Sequence, residues 1–99
     1  MRSKNSIIEL IKEHVALFDP FKYVYLFGSV LDPSIDHNDI DILIIYAKCL
    51  DEIENTLQVI SDELEKASGL LVDLTALSIE EERDIAFLER IKPHYIKIK

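Results

Sequence analysis

The stretch Leu26-Phe27-Gly28-Ser29, followed after nine residues by Asp39-Ile40-Asp41-Ile42-Leu43-Ile44-Ile45, decides how this chain is read. Tyr23-Val24-Tyr25-Leu26-Phe27 is aromatic and β-branched, the composition of a strand, and Gly28-Ser29 ends it. Asp39 to Tyr46 is a second strand, so apolar after Asp41 that both of its faces are expected to be covered. Period-two alternation places Asp39, Asp41, Leu43 and Ile45 on one face. The two acids lead the strand from its end and can project side by side into a cleft. A third acid, Asp73, interrupts another apolar run, Leu70-Leu71-Val72-Asp73-Leu74. An acid inside an apolar strand is costly unless something pairs with it. A divalent metal holding a nucleoside triphosphate would be such a partner.

The rest of the chain falls into alternating elements. Ser6, with Glu9 three residues on, reads as a capping box that opens a first helix. Ile7, Ile8, Ile11, Val15 and Phe18 give that helix an apolar stripe, and Asp19-Pro20 stops it. A short helical turn through Leu31 and a loop from Asp32 to Asn38 join the first two strands. Asp51 and Glu54 cap the next helix, which carries Ile53, Leu57, Ile60, Leu64 and Ala67 and ends at Ser68-Gly69. Leu70 to Leu77 is the third strand, with Leu71, Asp73, Thr75 and Leu77 on one face. Ser78 and Glu81 cap a last helix bearing Ile85, Leu88 and Ile91, which Pro93 breaks. His94 to Lys99 is a final short strand. The order αβ(α)βαβαβ predicts one domain over residues 1–99, an α/β (α+β) fold with helices packed on a mixed sheet.

Composition narrows the function classes. The chain has 99 residues, 48% of them hydrophobic, and a formal net charge of −8. Its cations are scattered, whereas stable binding to a nucleic-acid backbone needs clustered Lys and Arg. No apolar run reaches the ~18 residues of a membrane span, and Glu9, Lys12 and Glu13 interrupt the apolar stretch near the start, so no signal peptide is expected. Cys49 is the one cysteine, so no internal disulfide forms, and it reads as a partly buried apolar residue. A soluble, cytoplasmic protein is expected.

Asp39 and Asp41, with Asp73 on a neighbouring strand, could form a cage of hard oxygen donors of the kind Mg²⁺ prefers. Two such ions about 3.5–4 Å apart clamp an in-line nucleotidyl displacement. Gly28 lets backbone approach a phosphate, the N–H groups of a following helical turn favour anions, and the Ser29 hydroxyl can donate to one. Other readings fail on spacing. In Asp36-His37-Asn38-Asp39-Ile40-Asp41 the fifth position is Ile40 and the sixth, where a calcium loop needs glycine, is Asp41. His14 and His94 have no ligand-spaced partner for zinc.

Gly28-Ser29, nine residues, Asp39-Ile40-Asp41 and then Asp73 resemble the minimal nucleotidyltransferases of the DNA polymerase β superfamily, over nearly the whole chain. The resemblance implies that Asp39, Asp41 and Asp73 are catalytic and bind metal, two Mg²⁺ ions in all, with Asp73 also the base for the attacking hydroxyl. It implies that Gly28 and Ser29 contact the triphosphate of a nucleotide, ATP being the expected one. Many such proteins pair with a helical HEPN-type partner as toxin and antitoxin, and the nucleotidyltransferase member can adenylylate that partner. The expected activity is therefore Mg²⁺-dependent transfer of a nucleoside monophosphate, AMP from ATP, to a hydroxyl acceptor. A HEPN-type protein or a second copy of the chain is the expected partner. The chain departs from the pattern after Ser29, where Val30, Leu31, Asp32 and Pro33 stand and no cation occurs between Lys22 and Lys48. That departure supports an alternative, a nucleotidyltransferase-fold antitoxin acting by docking alone.

Overall fold

Residues 4–28, 31, 39–47, 53–92 and 94–99 are described in this computed structural model. Strands β1 (Tyr23–Phe27), β2 (Asp39–Tyr46), β3 (Leu71–Ser78) and β4 (Tyr95–Lys97) form one mixed sheet in the order β3-β2-β1-β4. The β1–β2 and β1–β4 pairs are antiparallel, and β2 runs parallel to β3. The parallel pair needs a crossover, supplied by helix α2 (Ile53–Ser68), which packs back on β3. The mixed α/β class expected from the element order is therefore the class observed. Among the described residues no helix is long and apolar enough to cross a membrane.

The two faces of the sheet differ. On one, Val24 and Leu26 of β1, Ile40, Ile42 and Ile44 of β2 and Val72 of β3 join Ile7, Leu10 and Ile11 of α1 (Lys4–Glu13) and Ile60 and Leu64 of α2 in a single buried core. Each fully buried Ile, Leu or Phe contributes roughly 1.5–3 kcal/mol relative to exposure. On the other face Leu43 and Ile45 are also buried, so β2 is covered on both sides as its composition requires.

Several boundaries depart from the sequence reading. The first helix begins at Lys4, so Ser6 lies inside its first turn and is not its cap. Ser and Asn cost little in a first turn, whose N–H groups have no helical partner. The α-helix ends at Glu13, and a 3₁₀ turn, Val15–Phe18, continues to Asp19. His14 N–H donates to the Ile11 carbonyl at 3.0 Å, three residues back, and this tightening rotates the apolar stripe. Phe18 becomes fully buried while Val15, placed on the same stripe by helical spacing, is 40% exposed. The third strand is Leu71–Ser78, one residue later than Leu70 to Leu77.

The last helix is two. Ser78 and Glu81 form the expected capping box at the head of α3 (Ile79–Ile85), with Glu81 N–H donating to Ser78 Oγ at 3.0 Å and Ser78 N–H to Glu81 Oε1 at 2.9 Å. Ala86 then adopts φ +52° and separates α3 from α4 (Phe87–Ile91). The break is held because the Glu82 carboxylate accepts the Leu88 N–H at 3.1 Å, and Phe87 stacks edge-to-face on Phe27 of β1 at 5.4 Å. The final strand is shorter than His94 to Lys99, but Ile98 N–H still donates to the Val24 carbonyl at 2.7 Å. Lys99 Nζ then donates to the carbonyls of Phe18, Asp19 and Phe21 at 3.1, 3.0 and 2.7 Å, closing the chain end over the 3₁₀ turn. Cys49, the Asp51 capping position, Pro93 and most of the turn and loop after Gly28 lie outside the described residues.

Candidate functional site

Register partners in neighbouring strands project to the same face of a sheet. Asp41 of β2 pairs with Asp73 of β3 on one side and Phe27 of β1 on the other, and Phe27 in turn pairs with Tyr95 of β4. The row Asp73–Asp41–Phe27–Tyr95 thus crosses the whole sheet at one level, on the face opposite the main core. Asp39 lies two residues before Asp41, hence on the same face, one row nearer the strand end. All three acids named by the sequence are brought to one corner by the parallel β2–β3 pairing. Tyr25 continues the aromatic side of this face, edge-to-face with Tyr95 at 5.4 Å.

The environments of the acids are unequal. Asp39 and Asp73 are exposed and Asp41 is half-buried. The expectation that Asp73 would be a costly interior charge is corrected, because among the described residues β3 is an edge strand, and Asp73 is exposed. The penalty falls on Asp41 instead. Burial, then the neighbouring Asp73 and Asp39 carboxylates, push its pKa above the ordinary carboxylate range. A group whose charge is disfavoured by its neighbours is one that a cation would relieve. The donor set suits a hard divalent ion, since all three groups offer carboxylate oxygens and no soft ligand is present. Among the described residues, however, no three Asp, Glu, His or Cys side chains are gathered closely enough to form a finished metal-binding group. The backbone places the three acids on one face of the sheet.

Gly28 also has a packing role at the acidic corner. It follows β1 with φ +86°, in the left-handed region that glycine tolerates best. A Cβ on it would overlap the Asp41 carboxylate at Oδ2 and lie 3.0 Å from its Cγ and 3.1 Å from its Cβ. The missing side chain is the space in which Asp41 sits. The Leu31 N–H donates to the Gly28 carbonyl at 3.1 Å. Ser29, the other half of the expected phosphate turn, lies outside the described residues.

Sequence reasoning missed the aromatic neighbours of the acids. Phe87 and Tyr95 come from elements far along the chain, and no local spacing announces that they meet Phe27 and Tyr25. It also missed Tyr46 Oη donating to Glu81 Oε1 at 3.3 Å, which links the end of β2 to the capping box of α3. His14, read as no ligand, contacts the Leu10 carbonyl through Nδ1 at 2.8 Å.

The fold has solved counterparts. The chain is similar to one in the structure of the tri-AMPylated Shewanella oneidensis HEPN toxin in complex with MNT antitoxin, with 24% identity and TM-score 0.55 over 97% of this chain and 68% of that one. It is similar to one in a toxin–antitoxin crystallised with AMP-PNP, with 24% identity and TM-score 0.60 over 99% of this chain and 73% of that one. A variant of the MntA–HpeT toxin–antitoxin matches with 25% identity and TM-score 0.58 over 98% and 72% of the two chains. Among curated proteins, none matches the chain. The family model described as Polymerase beta, Nucleotidyltransferase matches residues 5–97, taking in the turn, all three acids and the terminal strand. The chain belongs to the polymerase beta nucleotidyltransferase family.

Proposed function

We propose that the protein transfers a nucleoside monophosphate, AMP from ATP, to a hydroxyl on a HEPN-type partner protein. One observation carries this reading. The β2–β3 register sets Asp41 beside Asp73, with Asp39 on the same face and the Gly28 turn packed against Asp41. Asp39, Asp41 and Asp73 would hold Mg²⁺, which supplies charge neutralisation at the triphosphate and makes the acceptor hydroxyl more acidic. The residues then divide the work. Asp41 sits at the centre of the row, held by Gly28. Asp73 lies on an exposed edge strand, where an incoming hydroxyl can reach it and pass it a proton. The freed oxygen attacks the α-phosphorus, and the bond to pyrophosphate breaks. Gly28, with Ser29 after it, would seat the phosphates through backbone N–H groups.

The structures with a HEPN toxin and with AMP-PNP support the choice of partner and nucleotide by fold likeness. A second reading, docking without turnover, draws on the lack of any cation between Lys22 and Lys48, which leaves the triphosphate without a basic side chain from that segment. Label transfer separates the two. With Mg²⁺, α-labelled ATP and a HEPN-type partner, label should appear on the partner, and Asp41→Asn should abolish it while the variant remains folded. Label that persists in Asp41→Asn removes the assignment.

A further inference from the structure

We propose that the outer edge of β3 is a docking strand for an extended, Lys- or Arg-bearing segment of a protein partner, which adds to the sheet by backbone pairing. This interaction goes beyond the transfer reaction and does not depend on it.

The edge is open in its middle and closed at its ends. Among the described residues β3 is an outer strand of the sheet, eight residues long, whereas β4 at the other margin has three. In a parallel pair, alternate residues direct both backbone groups toward the neighbour or away from it. Val72 directs its groups away, because its N–H donates to Glu65 Oε2 at 3.0 Å and its carbonyl lies 3.5 Å from Ser61 Oγ, both on α2. Ser78, six residues on, also points away, its N–H donating to Glu81. Period two then places Leu74 and Ala76 outward between these two guarded ends. Neither has a backbone partner on that side among the described residues.

Unpaired edge groups are a template for another strand, and proteins commonly blunt them with lysine, proline or a bulge. Between Leu71 and Ser78 there is no lysine and no proline, and the register with β2 is continuous, without a bulge. A cavity of about 230 Å³ lined by Glu54, Leu57, Gln58, Ser61, Val72 and Leu74 runs beside the open groups and offers room for side chains of an added strand.

Charge selects the occupant. Residues 49–82 hold ten Asp and Glu against one Lys, a formal charge of −9, while the whole chain carries −8. Of these, eight acids and Lys66 lie on α2, β3 and the start of α3, a formal charge of −7, so the described elements around this edge hold most of the molecule's net charge. A second copy pairing β3 with β3 would set these two acidic surfaces together, at a cost for every like-charged contact. An extended segment carrying Lys or Arg meets the same surface with complementary charge.

The test uses the ¹⁵N-labelled full chain and an alternating Lys-Val hexapeptide as probe. Controls are the Glu-Val counterpart and a Lys-Val peptide N-methylated along one edge. Saturating Lys-Val peptide should slow amide exchange at Leu74 and Ala76 by about tenfold or more, with neither control doing so. Ala76→Pro removes an outward N–H without touching the β2 ladder and should abolish binding. Glu54→Lys, a surface change that leaves the fold intact, should weaken it several-fold. Equal binding of the Glu-Val peptide, binding of the N-methylated peptide, or no protection at Leu74 and Ala76 overturns the proposal. Dimeric mass with both amides protected before peptide is added also overturns it, in favour of a second copy.

Discussion

Replacing Gly28 by alanine tests the packing at the centre of the acidic corner. Two costs arise. At φ +86° an L side chain strains the backbone by about 1–2 kcal/mol. The new Cβ also overlaps the Asp41 carboxylate and stands 3.0 Å from its Cγ. Asp41 cannot retreat freely, because its strand is paired with Phe27 on one side and Asp73 on the other. Overpacking of this kind costs typically about 1–3 kcal/mol, and the stiffer unfolded chain returns about 0.4–1 kcal/mol. Gly28→Ala should therefore lose about 1–4.5 kcal/mol, centred near 3, below the ~5–15 kcal/mol of a typical domain, so the variant stays folded at 25 °C. Gly69→Ala is the internal control, for Gly69 has φ +73° but nothing within 4 Å of its added Cβ. It bears only the strain and should lose about 1 kcal/mol. Urea unfolding with an unchanged slope measures both. In an Asp41→Ala background the carboxylate is gone, and the cost of Gly28→Ala should fall by roughly 1 kcal/mol or more. Equal losses for the two glycines, or no relief in the Asp41→Ala background, would show that Gly28 is needed for its backbone alone.

Three further outcomes are expected. The pKa of Asp41 is raised in the fold, so its contribution to stability is present at acidic pH and is lost as pH rises through the folded value. Asp41→Asn should accordingly melt higher than wild type at pH 7, the gap closing as the pH is lowered toward 4, and thermal melts across that range check it. Lys99→Met removes three charge-assisted bonds to the carbonyls of Phe18, Asp19 and Phe21. It should cost about 1.5–3 kcal/mol by urea unfolding. Ala86→Gly relieves a left-handed alanine and should raise the urea midpoint, with a gain below about 1 kcal/mol because glycine also loosens the unfolded chain.

The parts of this fold that were legible in the sequence are those set by local rules. Apolar composition marked β2 to the residue, alternation put Asp39 and Asp41 on one face, and Ser78-x-x-Glu81 announced its own capping box. The boundaries that moved were decided by tertiary contacts. His14 tightened the end of α1 into a 3₁₀ turn, and the Phe27–Phe87 contact with Glu82 as a cap split the last helix at Ala86, a residue with no local breaking signal. The site divides the same way. Residue types and spacing revealed the three acids, but their order of burial depended on β3 being an outer strand, which spacing cannot show. Gly28 was read as a phosphate-contacting turn residue, and its close packing against Asp41 is a feature that local spacing could not show.

The most direct test of the three-acid site is paramagnetic broadening by Mn²⁺. Titrating the ¹⁵N-labelled chain at pH 7 should broaden the amides of Gly28, Asp39 to Asp41 and Asp73 first and most strongly, and Asp41→Asn should remove the effect at the same ion concentrations. Broadening spread over the acidic α2 surface, or unchanged in Asp41→Asn, would contradict a metal site built on Asp39, Asp41 and Asp73.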